Sequence, residues 1–125
     1  MNIGFENGNI TTTEKTMEMY NLKWNEHKSF KGVFLKHLVT GQNTKGALSC
    51  HLVKVNPHCC LDTHTHEGIL EIHEVIYGTG FLILDKESVE YSVGSLAVIP
   101  ADTNHKVTSG KDGLYILAKF SPALL

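Results

Sequence analysis

Turn-forming residues break this chain every 8–12 residues or so, and they leave room for little but short strands between them. Phe30 to Val39 reads as a strand, followed by a Gly41-Gln42-Asn43-Thr44-Lys45-Gly46 turn. Ala47 to Val55 is a second, closed by Asn56-Pro57. Glu71 to Tyr77 is another, stopped by Gly78-Thr79-Gly80. Phe81 to Leu84 and Ser88 to Val93 make a hairpin around Asp85-Lys86-Glu87. Leu96 to Ile99, Lys106 to Thr108 and Leu114 to Phe120 complete the set. Thr13 to Tyr20 is the only helical candidate, and no three-turn helix stands out. The rhythm is that of an all-β sandwich or barrel.

At 125 residues the chain has the length of one domain, long enough to bury a core without disulfides. Residues 1–15 are polar and rich in Gly, Asn and Thr, so they read as a flexible or loosely docked arm before a domain spanning residues 16–125. Net charge is −2 and the lysines are scattered singly, which argues against a nucleic-acid partner. Apolar runs such as Phe81 to Leu84 fall far short of the roughly 20 residues that cross a bilayer, and the N-terminus lacks a signal-peptide pattern. The three cysteines, Cys50 and the vicinal pair Cys59 and Cys60, are an odd set that fits a reducing compartment. A cytoplasmic protein with no membrane partner is the expectation.

Eight histidines is a high count for this length, and three of them fall in a pattern. In His64-Thr65-His66 the two imidazoles stand at i and i+2, the spacing that puts strand side chains on one face. Glu71 can return beside them after a short connection, and His105 offers a third imidazole from Asp102-Thr103-Asn104-His105. Three imidazoles and a carboxylate suit a divalent transition metal and leave room for another ligand. Burying Glu71 without a partner would be costly, and a metal gives that burial a reason. His73 shares the parity of Glu71, so it belongs on the inner face as a second donor, a general base or an extra ligand. A pocket-wall position without chemistry is the favoured reading for it. His51, in register with Val53 and Val55, also reads as inward-facing. Cys59 and Cys60 read as small buried hydrophobes, and Glu67 and Glu74 as solvated. Tyr77, Tyr91, Tyr115 and Phe120 read as core or interface aromatics.

These spacings resemble the two motifs of the cupin superfamily. The first is His64-x-His66, four residues, Glu71, six residues, Gly78. The second is Gly94, five residues, Pro100-x-Asp102, two residues, His105. Fifteen residues lie between Gly78 and Gly94, a short separation like that of small microbial cupins. The resemblance covers about residues 47–121. Three positions depart from the pattern: His58 and Asp102 stand where it has glycine, and Ser109 where it has asparagine. All four ligand positions carry the family's own residue types.

The resemblance implies a single cupin barrel, the double-stranded β-helix or jelly roll. It implies that His64, His66, Glu71 and His105 hold a divalent metal such as Fe, Mn, Ni or Zn. It further implies a small-molecule substrate or ligand inside the barrel and a choice among dioxygenase, isomerase and decarboxylase chemistry; a metal with two open positions makes dioxygenase chemistry the leading expectation. A metal-dependent isomerase or lyase, or a non-catalytic sensing module, are the alternatives. Trp24, Phe30 and Phe34 have no obvious partner in so short a chain, and cupins commonly pair through sheet edges. A homodimer is therefore expected.

Overall fold

The computed structural model describes residues 3–125. Its ten strands are β1 (Asn9–Thr11), β2 (Thr16–Glu18), β3 (Asn25–Glu26), β4 (Val33–Val39), β5 (Ser49–Val55), β6 (Cys60–His64), β7 (Leu70–Leu84), β8 (Glu87–Tyr91), β9 (Leu96–Ile99) and β10 (His105–Ser121). The main sheet runs β3-β4-β5-β10-β7-β8, with β6 added on β10 and β9 on β7. All of its pairings are antiparallel.

Two long strands make this sheet a barrel. The first half of β7 pairs with β9 and the second with β8, while β10 lies against both halves. The sequence reading ended a strand at Gly78-Thr79-Gly80 and split residues 106–120 in two; the structure instead carries β7 and β10 through both places. Glycine makes the bend possible. Gly78 has φ +86°, and a Cβ there would lie 2.1 Å from the carbonyl oxygen of Gly113, itself at φ +79°. The β7–β10 register shifts between Ser109 and Leu114, where the strands turn the corner.

Alternation then sorts the faces. Val53 and Val55 of β5, Val75 of β7, and Leu114, Ile116, Ala118 and Phe120 of β10 fill the barrel. The opposite faces of the same strands are not left to water. Leu38, Leu52 and Tyr115 join Ile3 and Met19 in a second buried cluster on the outside.

That outer cluster corrects the reading of residues 1–15 as a flexible arm. Residues 3–15 fold onto the barrel as a 3₁₀ turn, Gly4–Asn7, and the β1–β2 ribbon; residues 1 and 2 lie outside the described residues. Ile3 is 7% exposed, and Phe5 and Ile10 pack on the same cluster. The buried Glu6 carboxylate meets the buried Lys36 ammonium of β4 at 2.7 Å. The Gly, Asn and Thr residues that made the segment look unstructured form its turns. Thr12 Oγ1, for example, accepts the N–H of Glu14 at 3.2 Å. Thr13 to Tyr20 is likewise not a helix, because β2 and a second 3₁₀ turn, Met19–Asn21, direct Met19 into the outer cluster. Gly41–Thr44 forms a single helical turn, α1, in place of a plain loop.

The aromatics that lacked partners in the sequence find them within the chain. Trp24 sits edge-on to Tyr115 at 6.1 Å, and Lys54 Nζ lies over the rings of Trp24 and Phe34 at 4.6 and 4.9 Å. The apolar side chains left in solvent are others, among them Val93 and, on β9, Leu96 and Val98, which are 69% and 60% exposed. No helix among the described residues is long and apolar enough to cross a membrane.

Candidate metal centre

His64 closes β6, His66 lies in the connection that follows, Glu71 is the second residue of β7, and His105 opens β10. The β10–β6 ladder pairs His105 directly with His64. One ring nitrogen from each of His64, His66 and His105 lies within 4.8 Å of the others. Glu71 completes the group: its Oε1 is 3.1 Å from His105 Nε2 and 3.6 Å from His66 Nε2. The structure thus brings together all four residues singled out from the sequence.

The surroundings fix which atoms face inward. His64 Nδ1 donates to the carbonyl of Asp62 at 2.6 Å, and His105 Nδ1 to that of Thr103 at 3.0 Å. A carbonyl can only accept, so both neutral rings carry their proton on Nδ1 and present an Nε2 lone pair. Glu71 Oε1 and His105 Nε2 are buried and have no hydrogen-bond partner among the described residues. Two buried, unmatched, lone-pair-bearing atoms side by side suit a cation, and the donor set is one that binds divalent transition metals.

His73 is more than the wall residue favoured from the sequence. It is buried on the inner face, where its Nε2 donates to Glu71 Oε2 at 2.7 Å and its Nδ1 accepts from the Tyr91 hydroxyl at 2.9 Å. The chain Tyr91–His73–Glu71 occupies one carboxylate oxygen and leaves Oε1 free. Burial would raise the Glu71 pKa, but the polar contacts of His105 and His73 outweigh it and hold the group well below the usual carboxylate range. Burial, reinforced by Glu71, pushes the Tyr91 phenol far up, so it stays a proton donor. His73→Asn is expected to bind metal about 10–100-fold more weakly, because the ε donor that orients Glu71 is lost. A chelator competition assay that finds wild-type affinity in His73→Asn would return His73 to the status of plain wall.

A small cavity opens beside these donors. Its apolar wall is Leu35, Val53, Leu61, Ile116 and Phe120. His27 and Leu124 also line it, and neither was singled out from the sequence. Both lie outside the motifs and reach the site only through folding. Cys59 and Cys60 do not line it; Cys59 packs against the core with its sulfur over Gly32. Glu67 is exposed, and Glu74 faces Lys119 at 3.8 Å on the outside. His51 is buried inside the barrel, bonded to His37 and Ser49 at 2.9 Å each, and packs behind the cavity wall against Phe120 at 5.5 Å.

The departures from the motif pattern also have a structural account. His58 and Asp102, which replace glycine, both adopt the left-handed backbone that glycine would favour, with φ 59° and 64°. Asp102 Oδ1 accepts the N–H of Gly68 at 3.0 Å, which ties the two motif segments together. Ser109 Oγ donates to the carbonyls of Asn56 and Cys59.

A profile of the cupin domain matches residues 51–117, more than half of the chain. The chain belongs to the cupin family. This cupin shares its fold with solved structures at low identity. KdgF from a Halomonas species is 22% identical, with 82% of this chain and 88% of that one covered and a TM-score of 0.73. A predicted oxalate decarboxylase from Thermotoga maritima is 20% identical, covers 82% and 95%, and gives 0.77. The polyketide cyclase RemF from Streptomyces resistomycificus is 18% identical, covers 82% and 75%, and gives 0.72. No curated protein matches this sequence.

Proposed function

We propose that this cupin is a metal-dependent enzyme acting on a small organic molecule, with oxidative, dioxygenase-type chemistry as the leading form. The observation that carries the reading is the convergence of three imidazoles and Glu71 Oε1 beside a cavity that His64, His66 and Glu71 line. In this reading His64, His66, Glu71 and His105 hold the metal. Four protein ligands on a six-coordinate ion leave two positions, and the ion supplies Lewis acidity and a place to orient two reactants. The protein residues do the rest. His73 and Tyr91 keep Glu71 ionised and turned toward the site. The wall of Leu35, Val53, Leu61, Ile116 and Phe120 excludes water and accepts the apolar part of the substrate.

A non-redox reaction is the second reading, favoured by neighbours named as a decarboxylase and a cyclase. Elemental analysis of protein purified without added metal, followed by an oxygen-electrode screen of small organic acids and phenols, separates the two. Iron with substrate-dependent oxygen uptake is the expected result. Zinc, or full metal occupancy with no uptake, would shift the protein to the non-redox or binding reading. We further propose a homodimer, supported by the exposed Leu96 and Val98 on β9, which among the described residues pairs with β7 alone. Light scattering on the same sample reads this directly, and a monomeric mass would refute it.

A further inference from the structure

His27 lies ahead of the matched cupin domain, just after β3, and no motif gives it a role. Its half-buried ring lines the same cavity as His64, His66 and Glu71. The ring is held firmly. Nδ1 accepts the backbone N–H of Ser29 at 3.0 Å and that of Phe30 at 3.3 Å. One face stacks on Phe30, with centroids 4.5 Å apart and planes at 24°, and Phe30 leans in turn on His64 at 5.6 Å. The His27 backbone N–H is anchored on the carbonyl of Val33 at 2.8 Å.

Two donors at Nδ1 leave the neutral ring only one place for its proton, Nε2. That N–H has no partner among the described residues. The other polar side chains of the cavity wall are already engaged, either in the metal group or in holding Glu71. Among the described residues, His27 therefore contributes the uncommitted donor of the cavity wall. Closing the turn at Ser29 needs only an acceptor at the δ position, which asparagine would supply. The imidazole adds a second, directed N–H on its far side.

We propose that His27 is a ligand-positioning residue, whose Nε2–H donates to an acceptor oxygen on the part of the ligand remote from the metal. The ligand class is then a small chelating acid with a further carboxylate or similar oxygen at the other end of a short apolar stem. The inference rests on the metal reading above.

Matched variants separate this role from that of a turn cap. His27→Asn keeps the δ acceptor and removes the Nε2 donor. His27→Gln keeps a donor at the ε position and removes the δ acceptor. Each protein is loaded with Co(II), and the visible spectrum follows titration with 2-oxo diacids of rising chain length and with the 2-oxo monoacids of equal length. At one length, wild type and His27→Gln should bind the diacid about fivefold or more tighter than its monoacid. His27→Asn should bind the two alike and keep the wild-type Tm. A preference for the diacid that survives in His27→Asn overturns the proposal, and so does a wild type with no preference at any length. Failure to take up Co(II) at all is a different result, which brings down the metal reading and this inference with it.

Discussion

Protein carrying His64→Ala and His66→Ala together should emerge from purification with less than about a tenth of the wild-type metal, since two of four donors are gone. Single loss of His105 should act in the same direction, because its Nε2 faces Glu71 Oε1 at 3.1 Å. The pH dependence has a definite sign. In the metal-free site burial would lower the His105 pKa, but the Glu71 carboxylate raises it above the ordinary histidine value. Burial lowers His66, and burial pushes His64 down to about 4. The proton on His105 is therefore the first to compete with the metal. Affinity should be full above the raised His105 pKa and fall about tenfold per pH unit as pH drops below it. It should steepen again near pH 4, where His64 protonates. Chelator competition from about pH 8 to about pH 3.5 measures this; a flat profile, or wild-type metal content in the double variant, would exclude these histidines as ligands.

The second large effect concerns stability. Lys36 Nζ is buried against Glu6 at 2.7 Å, donates to the carbonyl of Met19 at 3.1 Å and lies 5.1 Å from the centre of the Trp24 ring. Glu6→Ala leaves a buried ammonium without its counter-charge, a change that costs about 3–5 kcal/mol. Urea unfolding should show the loss as a lower midpoint. Glu6→Ala combined with Lys36→Met should recover most of it, because the pair is then replaced by apolar contact. A loss below about 1 kcal/mol for Glu6→Ala would mean that the N-terminal segment does not hold the ion pair in solution.

Local patterning in this chain reports the metal group far better than it reports the N-terminal segment. His64, His66 and Glu71 fall within eight residues of one another, at a strand end, in the connection after it and at the start of the next strand, while His105 is legible only through a second motif far along the chain. The inward parity of Glu71 and His73 follows from strand alternation alone. Gly78 misled because glycine ends many strands, yet here it lets one strand bend past Gly113. Ile3, Phe5 and Ile10 were hidden by their polar neighbours, since their apolar partners Leu38, Leu52 and Tyr115 come from far along the chain. His27 and the Tyr91–His73–Glu71 relay depend on packing between distant segments, which no local pattern records. The sequence carries no period that distinguishes Tyr91 as a hydrogen-bond donor from Tyr91 as filler.

The direct pairing of His64 with His105 has a consequence for the lifetime of the protein. These residues stand 41 positions apart, and the chain has no disulfide, its three cysteines being free. A shared ion there would be a reversible cross-link that closes a long loop. It would restrict the denatured chain, and it would stabilise the native state further as metal concentration rises above the dissociation constant. Depleting the metal would then open the barrel at the β6–β10 seam more often and expose it to proteases. Metal supply would set how much of this protein a cell keeps, as well as how much of it can act.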